Sequence, residues 1–243
     1  MSDKETAKRA IALMDLTSLN DTDDNSTIDE LCQRGQAVQV AAVCVWPRFV
    51  SRCRQKLSGS NIKVATVVNF PHGGSDIKSV TQETRQAIED GTDEVDLVMP
   101  YTTWLNDEQL IAQELIREVK ALCGESVLLK VILETGRLKT QDRIADASRD
   151  AIAAGADFLK TSTGKISVSA TPSAAETMLG VIRDTERPVG FKAAGGIRTV
   201  QQAADYLNLA DRIMGTKWTQ PNNFRLGASS LLDACEQCIA STI

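Results

Sequence analysis

The chain has 243 residues, of which 42% are hydrophobic, 24% charged and 4% aromatic, and it carries a net charge of −5. That is ordinary globular composition, and with no cationic run it argues against non-specific nucleic-acid or membrane-surface binding. No apolar stretch approaches the roughly 20 residues of a membrane span, and "MSDKETAKRA" lacks the hydrophobic core of a signal peptide, so a cytoplasmic location is expected.

Short aliphatic runs alternate along the chain with longer amphipathic ones. Strands are expected at "LMDLT" (13–17), "VQVAAVCV" (38–45), "KVATVVNF" (63–70) and "DEVDLVMP" (93–100). They continue at "VLLKVILE" (127–134), "DFLKTST" (157–163), "VGFKAAG" (189–195) and "DRIMGT" (211–216). From the third to the seventh they begin about 30 residues apart, the length of one βα unit. Helical patterns fill the gaps. Asn106 precedes "DEQLIAQELIREVKAL", and Thr171-Pro172 opens "SAAETMLGVIRD" with proline at the first helical position. Thr199 with Gln202 forms a capping-box pattern before "AADYLNLA", and Gly91 and Gly155 sit where helices should stop.

Eight strands, each followed by a helix, describe a single (β/α)8 TIM barrel spanning residues 1–243, an α/β fold. The structural alternative, an open doubly wound sheet, fits less well because no G-x-G-x-x-G follows the first strand.

The six cysteines are scattered and without an export signal, so a disulfide framework is not expected. Cys235 and Cys238 match C-x-x-C within a helical pattern, which reads as helix thiols before it reads as a redox pair. The one histidine, His72, limits His-based zinc sites and catalytic triads to that residue; a loop-capping role suits it better.

A closed barrel leaves a strand lysine no solvated face, because helices cover the outside and side chains fill the inside. Yet Lys130, Lys160 and Lys192 each fall within an expected strand, as do the carboxylates Asp15 and Asp96. Strand alternation groups Asp96 with Glu94 and Val98, and Lys130 with Leu128 and Ile132. A buried ion-pair network that only fixes packing is one reading, although such networks seldom add net stability. The other is chemical. Burial beside a second cation lowers a lysine pKa and frees its lone pair, the requirement for Schiff-base formation. Lys160 and Lys192, near the ends of consecutive strands, can supply that pair.

Glycines and hydroxyls follow the same strand ends: Gly164 and Lys165, then Gly195, Gly196 and Arg198, then Gly227, Ser229 and Ser230. Such turns bring backbone N–H groups and helix N-termini to an anion, and barrels often hold phosphate with their last two loops. A ligand with a phosphate at one end and a carbonyl at the other is expected.

"LMDLTSLND", "AAVCVWPRF", "ATVVNFPHG", "DEVDLVMPY", "LLKVILETG", "GADFLKTSTGK", "VGFKAAGGIRT" and "GASSLL" resemble, in order, the deoxyribose-phosphate aldolases. The resemblance covers about Leu13 to Leu232. It implies a class I lyase with no metal or cofactor that interconverts 2-deoxy-D-ribose 5-phosphate with acetaldehyde and D-glyceraldehyde 3-phosphate, in deoxynucleoside catabolism. It implies further that Lys160 forms the Schiff base, that Lys192 lowers its pKa, and that Asp96 is the general acid/base. Asp15 and Lys130 become supporting members, and the glycine-rich turns become the phosphate site. The family is often dimeric, so a homodimer is compatible with the resemblance.

Two departures stand out. Ala193 occupies a position where the family commonly has proline, and the chain ends "CIASTI", its only tyrosines being Tyr101 and Tyr206. Proton transfer assisted by a C-terminal tyrosine, as in some bacterial members, is therefore not expected. Cys44 falls near the site, as a core cysteine or as a thiol open to aldehyde modification. Other Schiff-base barrels of transaldolase or dehydratase type are rivals, and so is a catalytically silent sugar-phosphate binder.

Overall fold

The computed structural model describes residues 2–241; the readings made above at Met1 and at the last two residues lie outside it. Eight parallel strands close into a barrel in sequence order. They are β1 (Met14–Ser18), β2 (Ala42–Val45), β3 (Lys63–Val68), β4 (Glu94–Val98), β5 (Leu128–Ile132), β6 (Phe158–Lys160), β7 (Gly190–Ala194) and β8 (Phe224–Ala228).

Alternation along each strand explains the layering. Leu16, Val43, Val64, Leu97, Leu129, Leu159, Phe191 and Leu226 face outward into the apolar layer shared with the helices. The inward positions divide the barrel in two. β2 and β3 contribute Ala42, Cys44, Ala65 and Val67, which pack with Leu19 as a separate small apolar cluster. β4 through β8 contribute Glu94, Asp96, Lys130, Lys160, Lys192 and Arg225, all buried.

Several start signals act as expected. Thr171 accepts a hydrogen bond from the N–H of Ala174 at the head of the helix Pro172–Arg183. Thr199 and Gln202 complete a reciprocal capping box on Val200–Met214. Gly91 and Gly155, with φ of 94° and 110°, follow helices that end at Glu89 and Ala153. Asn106 does not start its helix. It closes the short helix Tyr101–Leu105, and Asp107 turns the chain through φ 64° before Gln109–Cys123 begins.

The eighth strand lies elsewhere than the apolar pattern placed it. Residues 211–214 are the last turn of the helix Val200–Met214, and β8 is Phe224–Ala228 instead. Ile213 and Met214 pack half-buried against the core as the end of a helical stripe. The true strand hides because its inward members are an arginine and a glycine.

Candidate active site

Register sets up the geometry. Asp96 pairs across the β4–β5 ladder with Lys130, Lys160 across β6–β7 with Lys192, and Lys192 across β7–β8 with Arg225. Register partners share a face, so these side chains converge in the barrel interior. Lys160 and Lys192 each donate to Asp96 Oδ2 at 2.7 Å, while Lys130 donates to Asp96 Oδ1 at 2.8 Å. Lys192 also meets Asp15 Oδ2 at 2.5 Å, and Lys130 meets Glu94 at 2.6 Å. Arg225 closes the network by donating to Asp15 Oδ1 at 2.6 Å and to Glu94 Oε1 at 2.7 Å.

The cluster holds four cationic side chains, Lys130, Lys160, Lys192 and Arg225, against three carboxylates, Asp15, Glu94 and Asp96. Fully ionised it carries one uncompensated positive charge in a desolvated space, which is costly. The cheapest remedy is to lose a proton from the cation with the fewest partners. Lys160 has one carboxylate, Lys192 two and Lys130 three. Burial accordingly lowers the Lys160 pKa, with Asp96 opposing and Lys192 adding to the fall. Lys192 and Lys130 go the other way: Asp15 with Asp96, and Asp96 with Glu94, outweigh burial and raise them. Asp96 lies well below the usual carboxylate range under the pull of Lys130, Lys160 and Lys192, which overcomes its burial. Asp15 falls likewise, through Lys192, Arg225 and Lys130.

Lys160 is also the member of this cluster that reaches the open cavity at the C-terminal end of the strands. That cavity, of about 250 Å3, is lined by Lys160 together with Thr163, Gly164, Lys165, Gly195, Gly196, Ile197, Arg198, Gly227 and Ser229, and by Thr17–Asn20 across the mouth. Gly164, Gly195 and Gly196 take φ of 79°, 94° and 87°. Arg198 and Ser229 stand next to the N-termini of the helices Val200–Met214 and Leu231–Ala240, so positive helix-dipole ends face the same mouth. Lys165 is tied across it, its ammonium donating to Leu19 O at 2.7 Å.

Two of the expected phosphate residues sit differently. Ser230 is the N-cap of Leu231–Ala240 and lies outside the lining. Gly227 belongs to β8 itself, and its bare backbone makes room: a Cβ there would lie 2.9 Å from Lys192 Cε and from Ala194 Cβ. It is the lane along which the Lys192 side chain reaches Asp15 and Asp96.

Cys44 faces the interior beside Lys192, Asp96 and Lys160, and burial pushes its thiol up. His72 is exposed in the turn after β3, away from the cavity, and Cys235 and Cys238 are free thiols of the last helix. Among the described residues no group of three His, Cys, Asp or Glu side chains could hold a metal ion.

Sequence reasoning missed Arg225 and did not single out Glu94. Arg225 was lost with the misplaced strand. The spacing held the signal, since a step from 189 to 211 is shorter than those from 127 to 157 and from 157 to 189.

The chain matches a family model described as DeoC/LacD family aldolase over residues 9–237. A deoxyribose-phosphate aldolase of Agrobacterium fabrum is 48% identical over 233 residues, 95% of this chain and 90% of that protein. A crystal structure from Coccidioides immitis, provisionally assigned as a deoxyribose-phosphate aldolase, aligns with TM-score 0.86 and 30% identity over 95% of this chain and 86% of that one. At 22% identity, a tetrameric deoxyribose phosphate aldolase from Aeropyrum pernix shares the fold, with TM-score 0.76 over 97% of this chain and 92% of its own. A buried lysine cluster opening onto a glycine-lined mouth thus occurs in a chain that belongs to the DeoC/LacD family of aldolases.

Proposed function

We propose that this chain is a class I aldolase that reversibly cleaves 2-deoxy-D-ribose 5-phosphate to acetaldehyde and D-glyceraldehyde 3-phosphate, in deoxynucleoside catabolism. One observation carries the reading. Lys160 and Lys192 are register partners whose ammonium groups both lie 2.7 Å from Asp96 Oδ2, and Lys160 alone of the pair lines the cavity.

In the cleavage direction, the unprotonated amine of Lys160 adds to the C1 carbonyl of the open-chain sugar. A proton delivered through the water beside Asp96 lets the carbinolamine hydroxyl leave as water, giving a cationic iminium. Asp96, acting through a water molecule, takes the proton of the C3 hydroxyl. The C2–C3 bond breaks, its electron pair moves into the iminium as an enamine, and glyceraldehyde 3-phosphate departs. Protonation of the enamine carbon and hydrolysis of the resulting iminium release acetaldehyde and restore the amine. As the electron pair collapses into the enamine, the positive charge of the iminium nitrogen beside Asp96 is cancelled, so the carboxylate gains proton affinity at the moment it must act as a base. Lys192 stays protonated throughout, held by Asp15 and Asp96. Lys130, Asp15, Glu94 and Arg225 fix the positions of those groups without reaching the cavity.

The phosphate fits the mouth formed by Gly164, Gly195, Gly196, Arg198 and Ser229 with its two helix N-termini. Binding there orients the far end of the sugar relative to the reacting bond. The free thiols suit a reducing, cytoplasmic compartment.

The deciding experiment is borohydride reduction in the presence of acetaldehyde, read by peptide mass. A two-carbon adduct on the peptide containing Lys160 supports the aldolase. No adduct supports a sugar-phosphate binder, and turnover of ketose phosphates with none of deoxyribose 5-phosphate points to another Schiff-base barrel.

A further inference from the structure

Glu134 combines two costs at one residue. It follows β5 with φ 54° and ψ 59°, a left-handed conformation that disfavours any side chain, and its carboxyl is fully buried. Glycine would relieve both. What the chain retains there is the carboxylate, so its contacts identify its use.

Those contacts all go to the turn after β6. Glu134 Oε2 accepts from Thr163 Oγ1 at 2.5 Å, and Oε1 accepts from the Thr163 N–H at 3.3 Å. Thr163 Oγ1 in turn accepts from the N–H of Lys165 at 3.1 Å. Burial raises the Glu134 carboxyl against these hydrogen bonds, and Lys160 and Arg137 are the charged groups that act on it. Around this core the two segments lie flush. Leu133 N–H donates to Lys160 O at 3.0 Å, and Thr135 N–H donates to Thr161 O at 3.0 Å. Gly136 completes the fit, since a Cβ there would overlap the Val168 carbonyl oxygen at 2.0 Å. Glu134 itself does not line the cavity, whereas Thr163, Gly164 and Lys165 do.

We propose that Glu134 is a positioning residue for phosphate recognition: by gripping Thr163 at both its hydroxyl and its N–H, it sets the Thr163–Lys165 turn in the shape that receives the phosphate-bearing end of the substrate. This rests on the aldolase reading above for its substrate, but the grip itself is independent of the chemistry. The Schiff-base lysine lies at the end of the preceding strand, anchored by its own ladder, so the turn can loosen without displacing Lys160.

The test compares E134A, E134Q, T163V and the E134A/T163V double variant. Three readouts are needed: kcat and KM on 2-deoxyribose 5-phosphate and on unphosphorylated 2-deoxyribose, acetaldehyde trapping on Lys160, and the affinity for inorganic phosphate by calorimetry. For E134A the preference for the phosphorylated sugar should fall by about tenfold or more, through KM, towards the roughly 100-fold that an ångström of mispositioning can cost. Phosphate affinity should fall in parallel, and trapping should stay within about twofold of wild type, a change too small for a lost reacting group. E134Q, whose amide oxygen can still accept from the Thr163 hydroxyl, should recover part of the loss. T163V should match E134A, and the double variant should lose no more than either single one, as members of one network do.

Equal losses on both sugars, or unchanged phosphate affinity in folded E134A and T163V, would overturn the proposal. If E134A does not fold, T163V and E134Q decide it through phosphate affinity. A wild-type protein that binds phosphate but leaves deoxyribose 5-phosphate intact refutes the substrate assignment, and the phosphate titrations still judge Glu134.

Discussion

Lys160 and Lys192 occupy equivalent rungs of adjacent strands and touch the same carboxylate oxygen, yet their proton affinities diverge. The difference comes from partners. Lys192 has Asp15 as well as Asp96 and keeps its proton, while Lys160 has Asp96 alone and faces a cation. Removing the positive charge at 192 takes away one influence that lowers Lys160 and leaves Asp15 less neutralised, and both changes favour the ammonium form. K192L should therefore move the acidic limb of the kcat/KM–pH profile to higher pH, with on the order of a hundredfold less activity at neutral pH. An unshifted limb would refute the electrostatic role. K160A should abolish trapping and lower turnover by on the order of 10⁴-fold or more, the scale seen when a covalent nucleophile is removed, while circular dichroism stays native. The three strand lysines and two aspartates were legible in the sequence because charge inside a strand pattern violates burial rules. Glu134 was not, since nothing in "ILETG" reveals a left-handed turn or the direction in which its carboxylate points.

β8 shows what element-scale patterning can and cannot reach. Seven of the strands read correctly to within a few residues, because most of their outward positions are Val, Leu, Ile or Phe. "FRLGA" breaks that pattern by design: Arg225 fills the inner face to meet Asp15 and Glu94, and Gly227 clears the path of Lys192. The pattern instead favoured "DRIMGT", whose apolar pair belongs to a helix. The same residues that conceal the strand hold the network together, so the strand's arginine has a measurable structural load. R225M should leave Asp15 with one cation fewer and Glu94 with Lys130 alone, destabilising the fold by about 3–5 kcal/mol, as when one partner of a buried ion pair is deleted. It should also restore equal numbers of cations and carboxylates, so that Lys160 retains its proton to higher pH. Urea unfolding checks the first effect and the pH–rate profile the second. A variant as stable as wild type would mean that Arg225 is a spectator.

On the scale of the whole barrel, closure is what brings these charges together: Asp15 and Arg225 lie 210 residues apart in sequence, and Asp96 and Lys192 lie 96 apart. Folding and site assembly are therefore one event, with a pH signature. Asp15 and Asp96 are held below their ordinary 3.8 in the folded chain, so the unfolded chain binds protons first as pH falls. The stability they contribute is present above 3.8 and lost as the pH drops below it towards their folded values. The acid-induced fall in Tm should change little with added salt, because the pairs are buried.

Lys160 contributes with the opposite sign. Its folded pKa lies below its ordinary 10.5, so the folded protein binds fewer protons than the unfolded chain between those values, and its burial destabilises most at lower pH. K160M removes the surplus positive charge, keeps a side chain of similar reach, and leaves Asp96 with Lys130 and Lys192. The variant should be inactive yet more stable, by about 1 kcal/mol or about 2–4 °C in Tm, the usual scale for relieving a strained catalytic group in a domain of this size. That advantage should shrink as the pH is raised towards 10.5, because wild-type Lys160 then sheds its proton while the contributions of Lys130 and Lys192 change equally in both proteins. Calorimetric scans across that range decide the matter: a K160M protein less stable than wild type, or a gap that does not narrow with pH, would mean that the buried cluster carries no surplus charge for Lys160 to relieve.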